Sequence, residues 1–205
     1  MSTEPRRRMT VEEYLAFERA SETKHEYVDG EVYPWGESPR VITPDADRAR
    51  ENHRLIAGNV FASCSNQLRG RGCRVYPSDL RVQLGDPDHY AYPDLAIVCG
   101  PPQFADDGHD TLLNPTVLIA ILAPAMELGD RTRKFRRHQR IPSFREYVLI
   151  AQDEPRVEHF VRRDDGQWLY EAAEGLAATL ALPAAGCTLA LADVYEGVVF
   201  DAIAE

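Results

Sequence analysis

Two short runs, Tyr92–Cys99 (YPDLAIVC) and Thr116–Leu122 (TVLIAIL), carry almost no polar side chains. Successive residues of a strand face opposite sides of a sheet, so a run that is apolar at nearly every position is buried on both faces. Such strands need a covering layer on each side, which points to an α/β or α+β domain with helices packed on a sheet. One covering element is legible nearby. From Arg48 to Arg69 the residues Ile56, Val60, Cys64 and Leu68 recur every four positions with Ala57 and Phe61 beside them. This is the pattern of one long amphipathic helix, and Gly70 and Gly72 stop it.

Local signals supply the other elements. Thr10-Val11-Glu12-Glu13 is a capping box that starts a helix over Thr10–Ala20. Two β-prone runs in HEYVDGEVYP flank Asp29-Gly30, a pair that favours a type I′ hairpin. GESPRVITPDADRA reads as a loop, Cys73–Tyr76 and Leu80–Leu84 as strands, and GDPDHY as a turn. Asp130–Gln139 reads as a basic helix ended at Ile141-Pro142, and REYVLI, RVEHFVRR and QWLYEAA follow as an antiparallel meander. The Ala-rich C-terminal third suggests no element. With no repeat and no long linker, residues 1–9 form a tail and 10–205 a single domain built on one mixed sheet.

Apolar residues at 44% and charged residues at 27% of 205 match ordinary globular usage. A net charge of −10 excludes bulk attraction to nucleic acid or an anionic membrane, so any polyanion contact must be local. The one candidate is Arg131, Arg133, Lys134, Arg136, Arg137 and Arg140, six of 23 basic side chains within ten residues. The longest apolar run, Val117–Met126, is broken by Pro124 and falls short of the ~18 residues of a membrane span. Cys64, Cys73, Cys99 and Cys187 form no C-x-x-C pair, and MSTEPRRRMT lacks the apolar stretch of a secretory signal. The expectation is therefore four reduced thiols in a cytoplasmic protein.

Among residues able to carry chemistry, Asp94 stands at the entrance of a buried strand. An acid there either ends the apolar run at the surface or holds a divalent cation, since Mg²⁺ takes one or two protein carboxylates and completes its shell with water and phosphate. Asp79, in PSDLRV, is a turn former that neighbouring strand ends could bring near Asp94. Asp130, Lys134 and His138 share one face of the basic helix; the alternatives are a solvated, self-paired face or a phosphate contact. Glu26 and Glu31 flank the hairpin turn, and His53 lies on the long helix as a satisfied histidine or a ligand. No G-x-S-x-G, P-loop, G-x-G-x-x-G or H-x-x-x-H is present, which removes the serine-hydrolase, NTPase, dinucleotide-binding and zincin readings.

Taken in order, HEYVDGEVY, ENHRLIAGNV, GRGCRVYPSDLRV, YPDLAIVCG, NPTVLIAILAPAME, DRTRKFRRHQRIPSFREYVLI and EPRVEHFVRR resemble the Uma2 family, formerly DUF820, from Thr10 to the C-terminus. That family is similar to the PD-(D/E)xK nuclease superfamily. The resemblance implies a restriction-endonuclease-like core, a mixed sheet flanked by helices, and DNA hydrolysis dependent on Mg²⁺ or Mn²⁺. It makes Asp94 the metal-binding aspartate and Asp79 its neighbour at the metal. Glu26 matches a recurrent acid of the hairpin and His53 a recurrent histidine of the long helix. Lys134 is the candidate for the superfamily lysine, with Arg131, Arg133, Arg136, Arg137 and Arg140 on the DNA backbone. Pairing of subunits, common among nucleases that cut both strands, adds a homodimer to the expectations.

One position departs from the family. Where members commonly read V-E-V-L-S-P-S-T, this chain reads Ile119-Ala120-Ile121-Leu122-Ala123-Pro124-Ala125-Met126, so Ala120 replaces the second metal-binding carboxylate. Either Glu127 or Asp79 supplies the missing oxygen, or the chain is a non-cleaving homologue, or the change was engineered. The expectation is an endonuclease of reduced or lost activity, the alternative a non-catalytic module that binds nucleic acid or protein.

Overall fold

The computed structural model describes residues 8–35, 46–105, 108–122 and 135–200. Its centre is a six-stranded sheet in the order β11-β10-β9-β8-β6-β3. The strands are β3 (Cys73–Pro77), β6 (Leu95–Cys99), β8 (Val117–Leu122), β9 (Glu146–Ala151), β10 (Arg156–Arg162) and β11 (Trp168–Glu174). Within this sheet, among the described residues, only β8 and β9 run parallel; its other pairs are antiparallel, including the expected β9-β10-β11 meander.

The two apolar runs are central strands, as their composition requires. One face of this sheet presents Leu95, Ile97, Val117, Ile119, Ile121, Val148 and Ile150 to Ile56, Val60, Cys64 and Leu68 of α2 (Ala46–Leu68). The opposite face presents Ala96, Val98, Leu118, Leu122, Tyr147 and Leu149 to Leu80, Val82, Leu84, Ile141 and Phe144. Burying one such Val, Leu or Ile side chain contributes roughly 1.5–3 kcal/mol, so these two clusters dominate the stability of the domain.

The expected single sheet is instead three. A five-stranded sheet, β2-β1-β5-β4-β7, is built from β1 (His25–Val28), β2 (Glu31–Pro34), β4 (Arg81–Gln83), β5 (His89–Ala91) and β7 (Thr111–Leu112). The N-terminal hairpin pairs with β5, a three-residue strand inside the stretch read as a turn, because its inward side is aromatic. Tyr14, Tyr27 and Tyr90 pack together with Met9, and Tyr14 and Tyr27 stack at 4.7 Å. Tyr14 belongs to α1 (Val11–Ala20), whose Thr10–Glu13 capping box is formed in both directions. Asp29 and Gly30 take φ of 52° and 87°, the left-handed pair that the hairpin signal called for.

The Ala-rich C-terminal third also folds, as β12 (Thr179–Leu182), β13 (Cys187–Ala190) and a short helix at Leu191–Val194. Leu180, Leu182, Cys187 and Leu189 alternate inward against α2, a period-two pattern that the surrounding alanines hide in the sequence.

The cysteines overturn the expectation of four free thiols. Cys73 and Cys99 are disulfide-bonded, because the register of β3 against β6 sets them directly opposite with Cα atoms 4.0 Å apart. Cys64 and Cys187 are free and buried. Their mutual hydrogen bond, and then burial, hold the Cys64 thiol above its ordinary range.

The C-terminal hairpin is tied to the sheet by a hydrogen-bonded cluster. His159, fully buried, lies between Glu146 at 3.1 Å and Glu171 at 2.9 Å, and the other oxygen of Glu146 accepts the backbone N–H of Ala184. Removing one partner leaves the hydrogen-bonding groups of the others buried without compensation. Glu146→Ala is therefore expected to lower stability by about 1–3 kcal/mol, measured as a shift of the urea midpoint.

Candidate functional site

Asp94 lies immediately before β6, where the β6–β8 ladder ends. Pairing of Leu95 with Ile119 and Ala96 with Leu118 continues to put Asp94 opposite Ala120. Pro93 precedes Asp94 and has no N–H to extend the ladder. The carboxylate completes it instead: Asp94 Oδ2 accepts the backbone N–H of Ile121 at 2.7 Å. The other oxygen, Oδ1, meets His53 Nε2 of α2 at 2.9 Å. The Asp94 side chain is 11% exposed and that of His53 32%, so the pair sits at the surface end of the sheet.

The neighbouring residue fixes the helix in place. Asn52 donates from Nδ2 to the carbonyls of Gln152, just past β9, at 3.2 Å and of Val199 at 3.0 Å. Gln152 is buried, and its side-chain oxygen has no hydrogen-bond partner. Asn52 and Gln152 are site residues that sequence reading missed. Neither carries a motif, and their roles depend on the docking of α2 against the end of β9.

The other expected residues are placed as follows. Asp79 is exposed in the turn after β3, next to Ser78, whose carbonyl accepts from Lys24 Nζ at 2.8 Å. Lys24 was not anticipated either; its ammonium also lies over the rings of Trp35 and Tyr92, at 5.0 and 5.5 Å. Glu26 is partly buried in β1 opposite Tyr33, in the five-stranded sheet. Ala120 is the one partly exposed position in an otherwise buried β8. Lys134, Arg131, Arg133, Glu127 and Asp130 lie outside the described residues.

The described end of the basic segment, 135–140, differs from a plain solvated face. Phe135 and His138 point inward, Phe135 stacking on Tyr147 at 5.7 Å and His138 meeting Tyr147 at 4.8 Å, so His138 belongs to the core. Arg136 is exposed. Arg137 pairs with Asp29 of the hairpin turn at 3.2 Å, and Arg140 pairs with Asp86. The same two acids flank buried His89, Asp29 at 3.0 Å and Asp86 at 3.6 Å. Gly85 takes φ +76°, and a Cβ there would come within 2.6 Å of Arg140 Cβ, which explains a glycine where the segment packs down.

The chemistry open to this site follows from its donors. Mg²⁺ or Mn²⁺ requires carboxylate oxygen. Among the described residues no three His, Cys, Asp or Glu side chains come together to hold a metal. Asp94 Oδ2 already accepts the Ile121 N–H, Oδ1 lies 2.9 Å from His53 Nε2, and the strand neighbour Ala120 offers no oxygen. The described residues thus do not fit a divalent cation. They form a close His53–Asp94 pair at a sheet end, with Asp94 also bonded to the backbone of β8. Asp94→Ala leaves the Ile121 N–H and His53 without their acceptor and is expected to cost about 1–3 kcal/mol in chemical denaturation, with His53→Ala costing less because that ring is partly solvated.

Comparison with known proteins agrees with this architecture. The family model described as "Uma2: Putative restriction endonuclease" matches residues 11–192. An uncharacterized protein of Synechocystis sp., slr1290, is 29% identical over 196 residues, covering 94% of each chain. A second from the same organism, sll1609, is 29% identical over 161 residues, covering 78% of this chain and 85% of its own. A crystal structure from Anabaena variabilis, titled as a putative nuclease belonging to DUF820, superposes with a TM-score of 0.70 at 18% identity, over 93% of this chain and 99% of that one. At that identity the likeness establishes the fold.

Proposed function

The chain belongs to the Uma2 family, and from that membership we propose that it is a DNA endonuclease of the Uma2 type whose Mg²⁺-dependent phosphodiester hydrolysis is reduced or lost. The observation that carries the reading is the β6–β8 register. It leaves a methyl group opposite Asp94, at the position where a second carboxylate would share a cation. Without that oxygen the negative charge needed to hold a divalent cation beside a phosphate is halved. Asp94 is instead committed to His53 and to the backbone of β8.

Plasmid nicking with Mg²⁺ or Mn²⁺ tests this with three proteins. Wild type is expected to show little or no nicking, Ala120→Glu to raise it by roughly a hundredfold or more, and Asp94→Ala in the Ala120→Glu background to abolish it. Robust wild-type cutting that Asp94→Ala removes would mean that another residue supplies the missing oxygen. Inert behaviour of all three folded proteins would leave the non-catalytic module as the function.

The DNA contact is assigned to the basic segment, with Arg136 open to solvent and Arg137 and Arg140 occupied by Asp29 and Asp86. Those acids compete with phosphate for the same guanidinium groups. Asp29→Asn with Asp86→Asn is expected to tighten DNA binding at low salt. It should also steepen the dependence of log K on log salt concentration by about 0.9 for each arginine released. Absence of DNA affinity in every variant at low salt would favour an acidic protein partner, which the net charge of −10 does not repel from so local a site.

A further inference from the structure

The Cys73–Cys99 bond joins an edge strand to its neighbour and lies beside a cavity of about 600 Å³ lined by Gly70, Gly72, Cys73, Arg74, Gly100 and Pro101, with Pro102 at its margin. Both cysteines are partly exposed. The flanking Gly72 and Gly100 would meet nothing within 4 Å of an added Cβ, so the approach is open on both sides of the cross-link. Arg74 is exposed at the cavity, and Arg71, on the turn that leads into it, reaches the carbonyl of Gly186 at 3.3 Å. Cys73 and Cys99 pack half-buried at the edge of the core that fully encloses Cys64 and Cys187, with the Cys73 sulfur 3.7 Å from the Ala185 carbonyl.

We propose that Cys73–Cys99 is a thiol-exchange site that accepts a small anionic thiol of the glutathione class, with Cys73 as the sulfur attacked. Cys73 lines the cavity, whereas Cys99 does not. The incoming thiol loses its proton and its thiolate attacks Cys73 Sγ. A new sulfur–sulfur bond forms to Cys73 as the Cys73–Cys99 bond breaks, and Cys99 leaves with the electron pair and takes up a proton. A second thiolate then attacks the sulfur of the first, so the oxidised small-molecule disulfide departs and Cys73 is released as a thiol. Two thiols are oxidised and one protein disulfide is reduced, with no other reactant. Arg74 attracts the carboxylates of the anionic thiol. Exchange opens a loop that contains β4, β5 and Asp94, because the bond closes a sequence separation of 26 residues.

The test uses the full chain purified without reductant. Alkylation under denaturing conditions should modify two of the four cysteines. Native protein treated with reduced glutathione should carry the adduct on the Cys73 peptide, with Cys99 newly open to alkylation and Cys64 and Cys187 untouched. Arg74→Glu should slow the reaction with glutathione about threefold, with no slowing for the cationic thiol cysteamine. Complete reduction should lower Tm by roughly 5–10 °C. Four alkylated cysteines in the untreated protein would overturn the proposal, as would resistance of the native protein to glutathione or an adduct found first on Cys99.

Discussion

Burial of β6, β8 and β9 on both faces is the constraint from which the rest of the molecule follows. A strand apolar at every position tolerates no solvent on either side, so α2 must lie along one face and the β4 region with Ile141 and Phe144 along the other. The first covering comes from a helix distant in sequence from the strands it protects, whereas Ile141 and Phe144 lead directly into β9. The parallel pairing of β8 with β9 has the same origin. A parallel pair needs a crossover connection, and the described end of it sets Phe135 on the aromatic surface of Tyr147 and Phe160.

The Asp94 site is where this two-sided burial stops. A central strand must end in something that satisfies its last backbone groups, and here the carboxylate of Asp94 does so for Ile121 while reaching His53 on the covering helix. One side chain thus joins the sheet to α2. Its dual attachment gives Asp94 a structural role opposite Ala120. The same feature weakens any inference of activity from the presence of Asp94, because this aspartate serves the fold without a metal.

What the sequence disclosed divides along the same line. Strong periodicity survived folding unchanged: the helix through Ile56, Val60, Cys64 and Leu68, the two central strands, the meander and the Asp29-Gly30 turn. Features set by partners distant in the chain did not show. Nothing local distinguishes the hairpin's choice of β5 over the central sheet, since that depends on Tyr14 and Tyr90 meeting Tyr27. Cys73 and Cys99 became a pair only once the β3–β6 register was known. Leu180, Leu182 and Leu189 gave no element in the Ala-rich C-terminal third because small residues blur their alternation. Asp94 and His53 were both singled out separately, but their contact required the docking of α2, which Asn52 fixes through two carbonyls remote in sequence.

The arginines show why charge density in a sequence is an incomplete guide to a polyanion surface. Six cations within ten residues suggested a phosphate contact, yet the two whose ion pairs are described face acids of this chain, on the turns before β2 and β5. Those turns come close because Gly85 lets the segment pack down onto the β4–β5 connection. Asp29 and Asp86 also flank buried His89, so the arginines join a group of side chains packed against the five-stranded sheet. The basic segment is thereby anchored to the second sheet as well as to the first. A polyanion that engaged Arg137 and Arg140 would have to displace that anchoring, which makes the position of the segment, and not its charge alone, the quantity on which binding depends.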